Sequence, residues 1–482
     1  MCRRVPTIAV LLLCAAGCTT SGGSVGSIET LTSTAAEDGP GSGETAGGGS
    51  GPGATSVAEE SSASASSSAT SATGPSLDDT SGTTVGSNDD GPIFDVGTIP
   101  DGGNTCGDDS SVSFSTIWIA SQSTGTVYRV DTFTGTIEGR YYTEPSMGRG
   151  SPSRTSVNLQ GDVAVSNRAS AGVTKIAGSL DRCVDLDGNG TIETSTGPED
   201  VLPWGEDECV LWHRDFPDAI ANKGVRPTQW EAGVAPGFPC GDPNPRLWVG
   251  YLATGEVARF VRLDGSDGAI LDTAEVSGVF TDHPHHRPYG GVVDAEGDLW
   301  AIGHGSGDTG PLLHIDADTL EVTNYGNPIG SFYGLTIDAD GNPWACSRNL
   351  AATQAAVFRF DAVTETFSEV LVTGGASLRG CAADEAGRLW AAANNPCGLV
   401  EIDMATQTQV GPQIELPGCV TPVGVSIDVE GYVWVVDSGG DQAYKVDPVT
   451  HNVEILVENL ITPYTYSDMT GAGLGLVSGP QG

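Results

Sequence analysis

The 482-residue chain predicts an all-β fold, a seven-bladed β-propeller behind a short leader and a long polar tether. Three observations predict it. A thirteen-residue pattern recurs in register: PYGGVVDAEGDLW at 288–300, FYGLTIDADGNPW at 332–344, LRGCAADEAGRLW at 378–390 and PVGVSIDVEGYVW at 422–434. The copies start 44, 46 and 44 residues apart, a spacing that belongs to stacked supersecondary units. Each copy is followed by an Asp-x-x-Thr turn between alternating segments, so each unit supplies four strands.

Each copy has a physical reading. The apolar run after its third-position Gly (Val292 and Val293, Leu335 and Ile337, Val425 and Ile427) is short and β-branched, as a buried strand requires. The Asp-x-x-Gly that follows, as in Asp294 to Gly297, places Asp first and Gly fourth in a type I turn. The Gly takes the positive φ of the adjoining bulge, and the chain folds back as a hairpin. Trp then opens the second strand.

From its start, the chain first shows an export signal. Arg3 and Arg4, the apolar run Ile8 to Ala16 and the small residues Ala15-Ala16-Gly17 describe a secretory leader at 1–18, too short to span a bilayer. Cys18 follows directly and resembles the lipidated cysteine of bacterial lipoproteins, with Ala15 where Leu is usual. Thr19 after it implies passage to the outer membrane, with acyl chains on Cys18 as the anchor. Residues 19–105 hold no Lys or Arg and include SSASASSSATSAT, a composition that cannot offset its ordering entropy. They read as a disordered linker of about 50 Å reach.

The folded part is expected over 106–482, with 50 acids against 19 Lys plus Arg. That balance excludes nucleic acid as a partner and suits solubility or cationic partners. Unit one starts at TIWIAS with Trp118 and lacks a first strand. Unit two starts at SVNLQGDVAVSN (156–167), and unit three contains TQWEAGVA and RLWVGYL. The clear copies are units four to seven, and the tail TYSDMTGAGLGLVS (465–478) is expected to supply the strand that unit one lacks, closing the ring. A different division of units two and three gives six or eight blades.

An insertion near 179–212 carries DLDGNGTIE at 185–193. Asp185, Asp187 and Asn189 offer hard oxygen donors on alternate residues, Gly190 permits the sharp turn, and the Thr191 carbonyl follows. This predicts a structural Ca²⁺ site. Its twelfth position is Thr196, so Glu193, Glu199, Asp200, Glu206 or Asp207 must complete the shell; the alternative is an Asp/Gly turn without metal.

Eight cysteines follow the leader, an even set that suits disulfides in an exported chain. The expected pairs are Cys183–Cys209, Cys397–Cys419, Cys346–Cys381 and Cys106–Cys240. Zinc-type C-x-x-C spacing is absent.

The repeat, a Pro-x-Gly start with Asp, Gly and a closing Trp, resembles the streptogramin lyase (virginiamycin B lyase) family and its NHL-like propeller relatives, strongly over 284–457. The resemblance implies a Mg²⁺-assisted ring-opening elimination by a His after the Pro and a Glu shortly after the Trp of one repeat. Here the residues after the Pro position are Tyr289, Tyr333, Arg379 and Val423, and those three beyond Trp are Gly303, Ser347, Ala393 and Asp437. The catalytic pair is replaced. HPHHRPYG places His283, His285 and His286 before a first strand, with His304 at the end of the next. Loops entering first strands meet at the channel mouth, so His286, Arg287, Tyr289, His304, Tyr333, Arg379 and Asp437 are the candidate ligand-binding residues. The plain alternative is a solvated polar loop. The expected function is a monomeric, lipid-anchored binding module for a small molecule, peptide or glycan. A divalent-metal-dependent lyase or hydrolase, and a structural surface protein, are the rival readings.

Overall fold

The computed structural model describes residues 114–220, 223–232, 242, 244–280, 287–304, 310–327, 332–347, 355–374 and 377–478. The leader, the tether and Cys106 lie outside them. The described residues form seven antiparallel sheets, six of four strands and one of three, each built from strands consecutive in the chain. This is a seven-bladed propeller. Blade two starts at Pro152–Val157, blade three at Thr228–Trp230, blade four at Arg287–Val293, blade five at Phe332–Ile337, blade six at Ser377–Ala383 and blade seven at Pro422–Ile427.

Blade one has three strands of its own, and the chain's last segment lies along its innermost strand, Thr116–Ser121. Ser121 bridges Pro463 in antiparallel sense, Tyr464 N donates to Ala120 O at 2.8 Å, and Trp118 N donates to Met469 O at 2.9 Å. The same segment holds its neighbours on both sides. Thr155 N of blade two donates to Ser467 Oγ at 3.0 Å, and Ser426 of blade seven bonds Thr470 at 2.9 Å. The tail thus covers the edge of unit one where a first strand is lacking. The expectation of a strand over 465–478 is corrected: the tail runs along blade one through a single bridge and individual hydrogen bonds, and Ala472–Ser478 is a helix, α1. Its Leu474 and Val477, one turn apart, join the apolar core.

The repeat is explained by one hydrogen-bonded clasp. In blade five Asp338 accepts the backbone N–H of Asn342 at 2.8 Å through one oxygen and the Trp344 indole N–H at 2.9 Å through the other. Asp384 does the same for Arg388 N (2.8 Å) and Trp390 Nε1 (2.7 Å), and Asp428 for Tyr432 N (3.0 Å) and Trp434 Nε1 (2.8 Å). In blade four Asp294 takes Asp298 N at 2.9 Å and Trp300 Nε1 at 2.8 Å. One carboxylate therefore closes the hairpin and satisfies a buried indole. The third-position Gly has a separate cause, the crowding of inner strands near the axis. A Cβ on Gly334 would lie 2.4 Å from Arg379 O, and one on Gly424 would lie 2.0 Å from Thr465 O.

Two of the expected disulfides are present, Cys183–Cys209 across the insertion and Cys397–Cys419 in blade six. Cys240 lies outside the described residues, as does Cys106. The Cys346–Cys381 expectation is corrected: both are buried free thiols. They meet where the second strand of blade five faces the first strand of blade six, in one apolar cluster. Burial pushes the Cys346 thiol well up, so it stays protonated.

The clasp predicts a specific cost. Asp384→Ala strands the Trp390 indole and the Arg388 amide and lowers unfolding free energy by about 2–3 kcal/mol in denaturant titration, while Asp384→Asn, which keeps an acceptor, costs less. Equal, negligible losses for both would show that the carboxylate does not organise the blade.

Candidate functional site: the mouth of the central channel

The inner strands run in one direction around the axis, so their last residues share one end of the channel and their first residues the other. The end reached by the last residues is filled. Leu474 and Val477 of α1 pack with Val292, Leu335 and Ile337, leaving a cavity of about 30 Å³, room for a water. Before α1 the half-buried Asp468 accepts Gly471 N at 2.8 Å and Thr470 N at 3.2 Å. Burial pushes its carboxyl up to about 6.

The other end is the mouth, and pairing register defines its lining. In blade four Val292 opposes Trp300, which makes Tyr289 the second residue of its repeat. Blade two pairs Ser156 with Ala164 and blade three pairs Gln229 with Trp248, so their second residues are Ser153 and Arg226. The Ser121–Pro463 bridge puts Tyr464 at the same level in blade one. With Tyr333, Arg379 and Val423, one residue from each of the seven blades faces this level. Arg154 stands one residue further, where later repeats have Gly.

These residues converge. Tyr466 lies 4.8 Å from Tyr333, 5.4 Å from Tyr464 and 5.7 Å from Tyr289 between ring centroids, and Tyr289 lies 5.3 Å from Tyr333. The Tyr333 and Tyr464 hydroxyls are 2.9 Å apart. Five guanidinium groups surround the four rings. Arg154 sits 3.2 Å from the Tyr466 centroid and 4.7 Å from that of Tyr289; Arg226 and Arg287 lie 4.8 and 5.7 Å from Tyr289. Arg379 is 4.8 Å from Tyr333 and Arg168 is 5.2 Å from Tyr464. Each contact is of cation–π type. Arg154, Arg226 and Arg287 are buried, whereas Arg168 and Arg379 are half-buried on the outer side. Burial beside neighbouring tyrosines pushes the Tyr466 phenol well up, so the rings are neutral partners of a positive cluster.

Four of the sequence candidates, Arg287, Tyr289, Tyr333 and Arg379, lie in this cluster. Asp437 does not: it is buried at the end of blade seven's second strand, opposite Pro422, where it accepts Thr421 N at 2.6 Å and Val420 N at 2.9 Å. His286 falls outside the described residues. His304 pairs with Arg287 through the backbone, and its side chain is not among those described. Arg154, Arg168, Arg226, Tyr464 and Tyr466 were missed. The repeat register would have found Ser153 and Arg154, since PSRTSVNLQGDVA at 152–164 keeps the Pro and the hairpin Gly with Asn158 for Asp and Ala164 for Trp.

In the insertion, Asp185, Asp187 and Glu208 bring carboxylate oxygens within 4.8 Å of one another. Asp185 also takes Gly190 N at 2.9 Å and Gly188 N at 2.7 Å, so the loop folds inward on its carboxylate. Asn189 and Glu193 join side chains at 3.1 Å, and Thr191 N donates to Asn189 at 2.8 Å. Glu208 was not among the residues considered to complete the shell. Asp207 binds Thr194 and the Cys209 amide instead, and Asp200 binds Thr196. The Cys183–Cys209 bond carries Glu208 to the loop, which a disulfide at that position would have signalled.

No family model matches the chain, and no curated protein does. Among solved structures the chain is similar to selenomethionine-substituted virginiamycin B lyase from Staphylococcus aureus, at 16% identity over 66% of this chain and 88% of that one, with a TM-score of 0.45. It is similar to a streptogramin B lyase at 13% identity, covering 73% and 91% of the two chains, with a TM-score of 0.46. A protein from Lactobacillus plantarum is 12% identical over 73% of this chain and 98% of its own, with a TM-score of 0.48. Identities this low carry nothing of the activity of those proteins to this chain.

Asp468 gives the closed end of the channel a pH signature. A carboxyl held at about 6 in the fold, against 3.8 ordinarily, adds stability that is complete below about pH 4 and is lost as pH rises through 6. Asp468→Asn keeps the hydrogen-bond acceptor without the charge. Its stability relative to the natural protein therefore rises between pH 4 and pH 7.5, by up to about 3 kcal/mol in paired denaturation curves. A difference that stays flat across that range contradicts the assignment.

Proposed function

We propose that the chain is a lipid-anchored binding module that receives a small molecule, peptide or glycan at the arginine–tyrosine mouth of its channel. Cys18 carries the anchor at the bacterial outer membrane, residues 19–105 hold the propeller away from it, and the propeller works as a monomer. The observation that supports this reading is the convergence of Arg154, Arg226, Arg287 and Arg379 with four tyrosines at the mouth end of the inner strands. Rigid aromatic and guanidinium groups at a concave mouth are the residue types that anchor ligands. The lyase reading needs a His and a carboxylate at repeat positions that here hold Tyr289 and Gly303, Tyr333 and Ser347, Arg379 and Ala393, or Val423 and Asp437.

The test is an array of glycans, peptides and small metabolites probed with the natural protein and with Arg379→Ala. A ligand class captured by the first and weakened about tenfold or more by the substitution supports the mouth as the binding site. Ligands captured equally by both place binding elsewhere and overturn the reading.

The second part of the proposal is Ca²⁺ held by Asp185, Asp187, Asn189 and Glu208, with the Thr191 carbonyl and Glu193 in the same loop. The ion would replace the inward hydrogen bonds of Asp185 and pin an excursion that has little core. Millimolar Ca²⁺ is then expected to raise the melting temperature, EDTA to reverse the rise, and Asp187→Asn to abolish it. An identical melt with Ca²⁺ and with EDTA sinks the calcium assignment.

A further inference from the structure

We infer that the channel mouth is a receptor for an oxyanion, a carboxylate, sulfate or phosphate group on the ligand. The inference rests on the binding-module reading above and names the chemistry of its ligand.

Arg154 carries the argument. It is 1% exposed, and its interactions are with neutral groups: Nη1 donates to Ser153 O at 2.9 Å, Nη2 donates to Tyr289 O at 3.1 Å, and its plane lies over Tyr466 and Tyr289. Among the described residues its buried Nε–H has no acceptor. Arg168, half-buried above Tyr464, donates to the Ser151 hydroxyl at 2.8 Å and has no carboxylate partner among the described residues. In the same molecule, which carries a formal charge of −41, Arg140 is likewise buried on neutral partners, Thr126 and the Pro198 carbonyl, whereas other arginines are ion-paired. Arg246 is paired with Glu231, Arg262 with Asp272, Arg259 with Glu275 and Arg388 with Glu401. An acid-rich chain has thus placed a buried guanidinium where no described carboxylate reaches it.

Removing a cation from water costs several kcal/mol, and cation–π contacts of about 2 kcal/mol offset only part of that cost. An incoming oxyanion supplies the missing charge and the missing acceptor. Guanidinium forks suit it because they present several N–H donors in a plane. The opposite end of the channel is filled by α1, and the half-buried turn carboxylates Asp361, Asp403 and Asp447 are ionised, each held below its ordinary pKa by Thr amides. The mouth therefore gathers five guanidinium groups on a protein of negative formal charge, and an anion is attracted to them.

The experiment is calorimetric titration of the full-length protein with sodium sulfate, sodium phosphate and sodium acetate, each against sodium chloride at matched ionic strength. Saturable one-to-one binding is expected for at least one oxyanion. Arg154→Gln and Arg168→Gln should each weaken it about tenfold or more, and Arg259→Gln on the outer face of blade three should leave it unchanged. If Arg154→Gln does not fold, Arg168→Gln, a half-exposed position, still decides. Tighter sulfate or phosphate binding assigns a tetrahedral group, and tighter acetate binding a carboxylate. Binding that survives Arg168→Gln and Arg154→Gln unchanged overturns the inference, as does the absence of saturable binding by any of the three anions. Neutral or cationic array ligands that depend on Arg379, with no oxyanion binding, would leave the binding module standing and remove only this inference. Failure of both experiments removes both.

Discussion

Blades four to seven each depend on a single carboxylate. The Asp at the seventh repeat position holds the hairpin amide four residues on and the indole six residues on, as in the Asp338–Asn342–Trp344 and Asp384–Arg388–Trp390 clasps. The indoles are buried between sheets, where an unsatisfied N–H costs about 1–3 kcal/mol. Because the clasp fixes hairpin and Trp together, it fixes the register of the first strand against the second. Register in turn decides which residue of each blade stands at the mouth. In blade two Asn158 keeps the turn, accepting Asp162 N at 3.0 Å, while Ala164 gives up the indole. The register survives there without the Trp.

That scaffold separates charge. Hairpins and Asp-x-x-Thr turns share the α1 end of the blades, and their carboxylates are spent on turn amides, as with Asp361 and Thr364 N at 2.8 Å. The arginines of the mouth come from the opposite ends of the same inner strands. Arg226 and Arg379 stand where other repeats place Tyr or Val, and Arg154 stands where they place Gly, so substitutions at neighbouring register positions change the lining of the mouth without altering the blade. This is how a rigid propeller supports new binding chemistry on an old frame.

Much of this was legible in the chain because its cause is local. The period, the hairpin Gly and the Trp follow from one clasp within thirteen residues, and the register of blades four to seven brought out Arg287, Tyr289, Tyr333 and Arg379 directly. Arg154 lies in a repeat that keeps the Pro and the hairpin Gly but has lost Asp and Trp, a weaker signal, and Arg226 needs strand pairing to align it. Tyr464 and Tyr466 lie in a tail that carries no repeat; only closure of the ring brings them beside Tyr333. The same tail ends in α1 rather than strand, since Gly471 at φ +83° turns the chain and Leu474 and Val477 then meet the channel wall. Glu208 joins Asp185 through a disulfide, and Cys346 meets Cys381 through blade packing without a bond, so neither relation is written in local sequence.

The most direct measurement is an anomalous difference map from crystals of the protein soaked in selenate, whose selenium marks an oxyanion site by itself. The charge argument predicts a peak in the channel mouth within hydrogen-bonding distance of the Arg154 or Arg168 guanidinium. Selenate confined to surface arginines and lysines, with the mouth empty of it, would contradict the reading of the mouth as an anion receptor.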